Sequence, residues 1–425
     1  MIYITFGVFL LLLLRSVFRK YWFVSSYLVA VYAVMMFFAI RLSLTSYSYY
    51  PYSSHDSLLI GGLLTLLLVS CILPFFREKP VIIHDESEEF LNKFFTIGSI
   101  LSVVLIIGMI LLAPYVVQTA AYGLVNARAA MYLGESVITS YSLTGHIGHS
   151  ILRWFGWLGY LNLIFFFYSL IYIRRNILFK IGLLISSFGS VWIGILNGGR
   201  TYVVYWLLFF LFCLAAFYKE FTFKRKRQVF IVLIIALIIV FRYFAFVTAG
   251  RVENSSWFTS SEEFLVNYAG QPYTTFIHYF ENCTWHPYNF KRLLPLTTTA
   301  IFGRFNLTEY RSEIMSHNGV NVNGFSTFLG DIYVDIGLIG LLIYVFIFVL
   351  TVKKVMSCQK FDLARMIYLG IVIQIPLFGV FYYSFYRIET IVSIIVALLI
   401  ANYLNPKSRV VRFKLGNHTL FNRRN

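Results

Sequence analysis

One arginine of this chain follows two glycines between two long apolar runs, in the string Asn197-Gly198-Gly199-Arg200-Thr201. The glycines permit a tight turn and a close approach of the backbone to a ligand. A second apolar run begins directly afterwards, so the first backbone N–H groups of its helix and the guanidinium could face one anion. The pattern indicates a phosphate site made by Gly198, Gly199 and Arg200. The alternative is a short hairpin whose arginine reaches the lipid head groups.

Five further arginines are candidates for the same anion. Arg242 lies inside an apolar run, where an ionisable residue is costly and is a functional candidate by default. Arg251 follows nine residues later, close to the same helical face, so both could line one cavity with the glycine turn. Arg304, Arg311 and Arg387 lie in predicted loops on the same side. Arg251 and Arg387 each precede a glutamate by two residues, so a simple ion pair is the alternative for both.

Candidate general bases lie on the same side of the chain. Histidine is the usual general base near neutral pH, which makes His317 and His278 candidates, although a loop histidine is more often a surface residue. Asp331 and Asp335 flank Tyr333 with an i, i+4 spacing and so share one helical face. They lie where an apolar run begins and need partners, for which the arginines are the obvious choice. The pair offers too few ligands for a metal, so no metal site is expected.

The rest of the composition is typical of a membrane protein. Apolar residues make up 59% of the 425 residues and charged residues only 12%, whereas soluble domains carry roughly 25% charged residues. So few charges could not cover the surface of a water-soluble protein of this length. A cytosolic enzyme, a secreted domain and a disordered chain are excluded. The four cysteines show no metal-finger spacing and indicate neither a disulfide framework nor a zinc site.

Eleven apolar runs are long enough to cross a bilayer as helices, since a span needs about 20 apolar residues. They are residues 1–18, 22–42, 57–76, 93–117, 154–173, 177–197, 202–218, 228–248, 332–350, 364–385 and 388–404. Lysines and arginines concentrate in every second loop. The positive-inside rule therefore predicts an outer N-terminus and a cytoplasmic C-terminus. The formal charge of +17 marks topology and anionic lipid, and no nucleic acid partner is expected.

A long polar stretch, residues 249–331, is predicted on the outer face between the eighth and ninth spans. It divides the chain into eight helices over 1–248, the outer loop over 249–331, three helices over 332–404 and a basic tail over 405–425. A loop of this length is usually functional. Short helices lying on the membrane are expected within it at 262–268, 273–279 and 293–302.

The outer face combines arginines with aromatic side chains. Arginine forks suit diphosphates, and the faces of tyrosine and tryptophan suit sugars. The long loop supplies Trp257, Tyr268, Tyr273, Tyr279, Trp285 and Tyr288. A ligand with a diphosphate, a sugar chain and a long lipid tail would use the arginines, the loop and the membrane helices together.

The glycine turn, the long outer loop and the segment after it resemble the oligosaccharide repeat-unit polymerases, the Wzy-type polymerases of bacterial O-antigens and capsules. In that family a Gly-Arg-type turn is followed by an outer loop and a helix start of the form Tyr-x-Asp-x-Gly-x-x-Gly. Here these positions are Tyr333, Asp335, Gly337 and Gly340. The resemblance covers roughly residues 180–400.

The resemblance implies a multi-pass glycosyltransferase of the bacterial inner membrane with an all-α, GT-C-like fold. Such an enzyme transfers a glycan en bloc from undecaprenyl diphosphate to a hydroxyl of a new lipid-linked repeat unit on the outer face. The candidate arginines, above all Arg200 and Arg251, would hold the diphosphates, and His317 or Asp331 would take the acceptor proton. The donor is already activated, so no cofactor is implied. The implied partners are undecaprenyl-diphosphate-linked oligosaccharides and membrane lipid, with a chain-length regulator protein left open.

Other classes of protein stay open. A lipid-linked oligosaccharide flippase or another transporter would favour internal repeats around a midplane site, and the chain shows no internal repeat. The O-antigen ligase shares the architecture and the donor lipid, so the sequence separates it poorly from a polymerase. A non-enzymatic membrane anchor would leave the intramembrane arginines unexplained.

Overall fold

The computed structural model describes residues 1–44, 57–122, 142–173, 176–196, 199–253, 260–303, 307–322 and 324–405. The described part forms sixteen α-helices and two short strands, β1 (Val81–Ile82) and β2 (Lys360–Phe361). The helices are α1 (Ile2–Phe18), α2 (Phe23–Ser43), α3 (Ser57–Ile72), α4 (Glu88–Tyr122), α5 (Leu143–Phe155), α6 (Gly159–Tyr172), α7 (Ile177–Ser186), α8 (Gly189–Leu196), α9 (Thr201–Phe217), α10 (Phe223–Glu253), α11 (Ser261–Asn282), α12 (Pro295–Phe302), α13 (Leu307–Asn318), α14 (Thr327–Met356), α15 (Leu363–Phe378) and α16 (Ile388–Leu404).

The apolar runs of the sequence form these helices because a helix satisfies its own backbone hydrogen bonds in lipid. Seven stretches of the described chain are long and apolar enough to cross a membrane by length and composition, and three more apolar helices, α1, α15 and α16, are shorter. Each of the eleven predicted spans overlaps a helix of the structure. An all-α polytopic membrane protein is therefore confirmed, while the number of helices that cross stays a prediction.

The loops predicted to be cytoplasmic meet at one end of the bundle. The Trp22 backbone N–H donates to the Arg77 carbonyl at 2.8 Å, and Lys79 pairs with Glu220. The two strands also pair in parallel there, which joins the segment before α4 to the segment before α15. The opposite end holds α11, α12, α13 and the start of α14. Which end faces the cytoplasm stays a prediction.

The region between α10 and α14 is packed into the bundle more closely than the sequence suggests. The sequence predicts separate surface helices at 262–268 and 273–279, but the structure has the single helix α11 across both. Gly270 permits this packing, because a Cβ there would lie 2.5 Å from the Phe38 carbonyl oxygen of α2. The predicted helix at 293–302 is confirmed as α12, and α13 is an additional helix.

The helix α14 is broken near its beginning. Gly337 has φ 66° and ψ −174°, a backbone conformation open essentially to glycine. Residues 327–336 form a short arm, and residues 338–356 form a long apolar arm. The Phe328 ring lies 6.4 Å from the ring of Phe348, which is about 16 Å along the helix from Gly337. The arms therefore lie side by side in opposite directions, and the short arm is buried along its whole length.

Candidate functional site

Two carboxylates lie inside the protein on the short arm of α14. Asp331 is 2% exposed and Asp335 is fully buried. Arg292, from the segment between α11 and α12, contacts both: Nη1 lies 2.8 Å from Asp331 Oδ1, and the backbone N–H donates to Asp335 Oδ2 at 3.2 Å. The expectation that an arginine from elsewhere partners these aspartates is confirmed.

The remaining bonds of the two carboxylates tie several segments together. Asp331 accepts the backbone N–H of Tyr383 at 2.6 Å and the Ser326 hydroxyl at 3.2 Å. Asp335 accepts the Tyr310 hydroxyl at 3.4 Å. A buried charge is tolerated only when it is paired and hydrogen-bonded. The carboxylates therefore join the short arm to α13, to the Arg292 segment and to residues 379–387 between α15 and α16.

Three arginines converge on the Tyr386 side chain. Arg387 Nε donates to the phenol oxygen at 3.1 Å, and the Arg292 guanidinium carbon lies 5.8 Å from the ring centroid. Arg311, on α13, interacts electrostatically with both Arg292 and Tyr386. Its Nε is buried and has no hydrogen-bond partner among the described residues, and the same holds for Arg292 Nε. Both atoms are closed off from solvent in this arrangement.

Positive charge dominates this place. Burial alone would raise the pKa of Tyr386, but Arg387, Arg292 and Arg311 outweigh burial and lower that pKa below its ordinary value. Burial and the neighbouring Arg292 also lower the pKa of Arg311. Burial alone would also lower the pKa of Arg292, but the neighbouring Asp331 carboxylate outweighs burial and raises the pKa of Arg292. A bound anion would relieve the repulsion among the guanidinium groups.

Two further contacts between arginines and tyrosine rings lie at the beginning of α9. Arg387 Nη1 donates to the Tyr202 hydroxyl at 2.5 Å, and the guanidinium carbon lies 5.7 Å from the Tyr202 ring centroid. Arg200, two residues before Tyr202, is 4% exposed and lies 5.1 Å from the Tyr268 ring centroid. Such a cation–π contact holds the Arg387 guanidinium in place without neutralising it.

A continuous row of rings links Arg200 to the other arginines. Tyr268 lies 4.5 Å from Phe325, Phe325 stacks on Tyr382 at 5.9 Å, and Tyr382 lies 6.3 Å from Tyr386. We call these four residues the arginine cluster: Arg200, Arg292, Arg311 and Arg387. Against the four arginines stand the two aspartates Asp331 and Asp335, so these six residues carry two excess positive charges.

Several predicted anion ligands lie elsewhere or outside the description. Gly198 and Arg304 are outside the described residues, and so is the side chain of Arg251, whose backbone belongs to α10. Arg242 is an exposed residue of α10. The Gly199 N–H donates to the Gly194 carbonyl at 2.8 Å. This amide is therefore engaged within the chain and is not a donor for an anion.

The two predicted histidines differ in their surroundings. His317 is exposed at the end of α13 and stacks on Trp285 with 4.0 Å between ring centroids. Its Nδ1 lies 3.0 Å from the Glu313 carbonyl oxygen, which can only accept. The proton is therefore assigned to Nδ1, and Nε2 keeps its lone pair. His278 is half-buried in α11, and burial lowers its pKa.

The Tyr333 hydroxyl holds the backbone in place rather than facing the arginines. It donates to the carbonyls of Phe280 at 3.3 Å and Cys283 at 3.1 Å. These bonds fasten the end of α11 to the short arm of α14. Tyr333, predicted among the site residues, thus positions the segment that carries Arg292.

The sequence patterns do not single out Arg292. The available signal is its place directly before Leu293-Leu294-Pro295, where an outer-face arginine begins an apolar helix next to Lys291. That signal is weak, because the same pattern fits a residue that reaches for lipid head groups. Its role follows only from the contact with the short arm, about 40 residues further along the chain.

The fold and the site define a polytopic helical membrane protein with a cluster of arginines at one end of its bundle. Within the described ranges, no group of three or more His, Cys, Asp and Glu side chains is placed to hold a metal ion. Comparisons with protein-family models, with curated proteins and with solved structures find no match to this chain.

Proposed function

We propose that this protein polymerises undecaprenyl-diphosphate-linked oligosaccharide repeat units by en bloc glycosyl transfer on the outer face of a bacterial inner membrane. The observation that carries the proposal is the contact of both Arg292 and Arg387 with Tyr386, beside Arg311, which acts electrostatically on the same phenol. The resemblance of the adjoining segment to repeat-unit polymerases, at Asp335 and Gly337 among other positions, supports the same reaction class.

The charge of the cluster suits a diphosphate. A diphosphate that joins a lipid to a sugar carries two negative charges, and the arginine cluster with its two aspartates has two excess positive charges. Guanidinium groups bind phosphate oxygens in pairs of N–H bonds. Arg387 contacts the hydroxyl groups of Tyr202 and Tyr386 and has no ion pair within the described residues, so its charge is left for the ligand.

The same arginines serve the chemical step. The acceptor hydroxyl oxygen forms a bond to the anomeric carbon of the donor sugar while the bond from that carbon to the diphosphate oxygen breaks. The departing diphosphate keeps the electron pair, so negative charge grows next to Arg387 and Arg311. Fixed positive charge at this place lowers the barrier. A single displacement inverts the configuration at the anomeric carbon.

The acceptor proton goes to His317 in this scheme. Asp331 is the alternative base, but its oxygens already accept from Arg292, Tyr383 and Ser326. His317 presents Nε2 with its lone pair and lies on the same helix as Arg311, about 9 Å further along the axis. Trp285, stacked on His317, offers an aromatic face for a sugar beside the base.

The test is reconstitution of the purified protein in liposomes with a lipid-linked repeat unit. The expected product is a ladder of longer lipid-linked glycans, formed by wild type and not by Arg387→Gln. Arg153→Gln is the matched control, because Arg153 lies on the same side of the molecule but pairs with Glu389 at 2.6 Å. Movement of intact substrate across the bilayer would instead make the protein a transporter. Transfer only to a lipopolysaccharide core would make it a ligase. Either of these outcomes would contradict the proposal, and so would the absence of any activity.

A further inference from the structure

A cleft opens between α6, α15 and α16 in the half of the bundle that carries the arginine cluster. It is a shallow groove, and its empty volume of about 290 Å³ includes the open solvent at its mouth. Gly370 belongs to its wall, where a Cβ would lie 2.5 Å from Ile164 Cδ1. The lining residues include Trp157, Tyr160, Ile164, Gly370, Gln374 and Ala397.

Two polar side chains at the cleft have partners, and a third, the Tyr160 hydroxyl, is buried without a hydrogen-bond partner among the described residues. Trp157 Nε1 donates to Gln374 Oε1 at 2.8 Å, and Ser393 Oγ donates to the Trp154 carbonyl at 2.8 Å. The rest of the lining is aliphatic and aromatic. A sugar or a phosphate would lose its hydration here and could gain only the Tyr160 hydroxyl as a partner, whereas a hydrocarbon chain would gain from leaving water.

The outer end of the cleft adjoins the arginine cluster. The Trp157 ring lies 6.3 Å from the Tyr202 ring, and the Tyr202 hydroxyl accepts the hydrogen bond from Arg387 Nη1. Within the described residues the contacts of Arg387 are with tyrosines, and one of these, Tyr202, adjoins the apolar cleft through Trp157. The ligand that matches both has an anionic head directly joined to a hydrocarbon tail.

The cleft also has an outlet towards lipid. Beside it, α16 exposes Ile395 (43%) and Leu399 (63%) to the surroundings of the bundle. In a helix predicted to span the membrane, exposed aliphatic side chains face lipid tails. A chain too long for the cleft can continue into the bilayer on this side.

We propose that the cleft holds the isoprenoid units next to the diphosphate of a polyprenyl diphosphate, with Arg387 on the diphosphate. The inference rests on the proposed function and deepens it, since it places the tail of one lipid-linked substrate. It also fixes the direction of that substrate: the head lies at Arg387, the first units pass Trp157 and Gln374, and the remainder leaves past Ile395.

The test measures binding of two probes, isopentenyl diphosphate and farnesyl diphosphate, to the full-length protein in nanodiscs. The probes share the diphosphate and differ by two isoprene units, so wild type should bind the longer probe about tenfold or more tightly. Ala397→Phe fills the cleft, since Ala397 is 6% exposed and lines it. This variant should lose the preference for farnesyl diphosphate and keep its affinity for isopentenyl diphosphate.

Two controls make the outcome specific. Leu66→Phe adds the same side chain to an exposed position of α3, away from the cleft and its outlet. Its preference for farnesyl diphosphate should equal that of wild type, and any partitioning of the probe into lipid cancels between the variants. Ile371→Phe narrows the cleft from α15 and should repeat the effect of Ala397→Phe if that variant folds poorly. Arg387→Gln should weaken both probes by the same factor.

The outcomes separate the two proposals. A folded wild type that binds neither probe contradicts the proposed function. Binding of both probes with no preference for the longer one, or a preference that survives Ala397→Phe and Ile371→Phe, places the tail elsewhere and overturns only the cleft.

Discussion

Arg292 and Arg387 approach the same phenol, Tyr386, but their charges are balanced in different ways. Arg292 is buried and its guanidinium pairs with Asp331. Arg387 contacts the side chains of Tyr202 and Tyr386, and the described part of the chain places no carboxylate within ion-pair distance of it. The first charge is neutralised by the protein itself, whereas the second is left for an anion to neutralise.

This difference separates architecture from ligand binding within one site. The pair of Arg292 and Asp331 holds the short arm of α14 against the segment after α11, and this contact is needed whether or not a ligand is bound. Aromatic faces orient Arg387 without cancelling its charge, because a ring quadrupole attracts a cation but carries no net charge. We therefore expect Arg292 to control stability and Arg387 to control activity.

The largest expected effect is on stability, from Arg292→Met. The change leaves the Asp331 carboxylate buried without its cation, which typically costs about 3–5 kcal/mol. Thermal unfolding of the purified protein in detergent measures this loss. The double variant Arg292→Met/Asp331→Leu removes both charges and should recover a large part of the stability. If the single variant unfolds like wild type, the carboxylate is not dependent on Arg292 and the comparison fails.

The next effect is on activity, from Arg387→Gln. Removing one preorganised donor to a developing oxyanion costs about 10²–10³ in kcat, and we expect a loss of that order in glycan polymerisation. The unfolding temperature should change little, because no carboxylate is left unpaired. Arg153→Gln, which breaks an exposed ion pair at the same end, should keep nearly full activity. A strongly destabilised Arg387→Gln would show that this arginine is structural as well.

The sequence identifies Arg387 and Arg200 but not Arg292, for a physical reason. Arg387 and Arg200 end or begin apolar runs, so their positions alone mark them as arginines at the membrane edge. Arg292 acquires its role from the short arm of α14, which no local pattern connects to it. The need of Asp331 for a partner is visible in the sequence, whereas the identity of that partner is a property of the packing.

The positions of the helices are likewise predicted in part from local sequence and decided in part by packing. Apolar runs predict most helices well, because a bilayer allows few other structures. The sequence predicts two helices, at 262–268 and 273–279, yet packing against α2 makes α11 continuous across Gly270 and Pro272. The reverse happens at Gly337, where an apolar run predicts one helix from residue 332 and the backbone turns. Local propensity loses to tertiary contacts at both places.

A smaller effect on stability is expected at Gly337, where the short arm of α14 turns into the long arm. Gly337→Ala places a Cβ 3.0 Å from the Tyr288 phenol oxygen and 3.1 Å from His286 Cδ2, at a φ that strains any other residue. We expect a loss of about 1–3 kcal/mol in the free energy of unfolding. Gly7→Ala is the matched control, since a Cβ at Gly7 meets nothing within 4 Å. Equal unfolding temperatures for the two variants would contradict the break in α14.

The smallest expected effect is a pH dependence of stability that arises beside the short arm of α14. His286 Nδ1 lies 3.3 Å from the Val334 carbonyl oxygen of the short arm, and burial lowers the pKa of His286 below its ordinary value. The folded state then binds the proton less tightly than the unfolded state, whose histidine titrates near pH ~6.5. Stability should be complete above this pH and should decline as the pH falls below it. Thermal unfolding from neutral to mildly acidic pH should show a steeper decline for wild type than for His286→Gln. His278 titrates in both proteins and cancels in this comparison. A decline of the same slope in both proteins would mean that protonation of His286 does not loosen the short arm of α14. The contribution of this arm to stability would then depend on Arg292 alone.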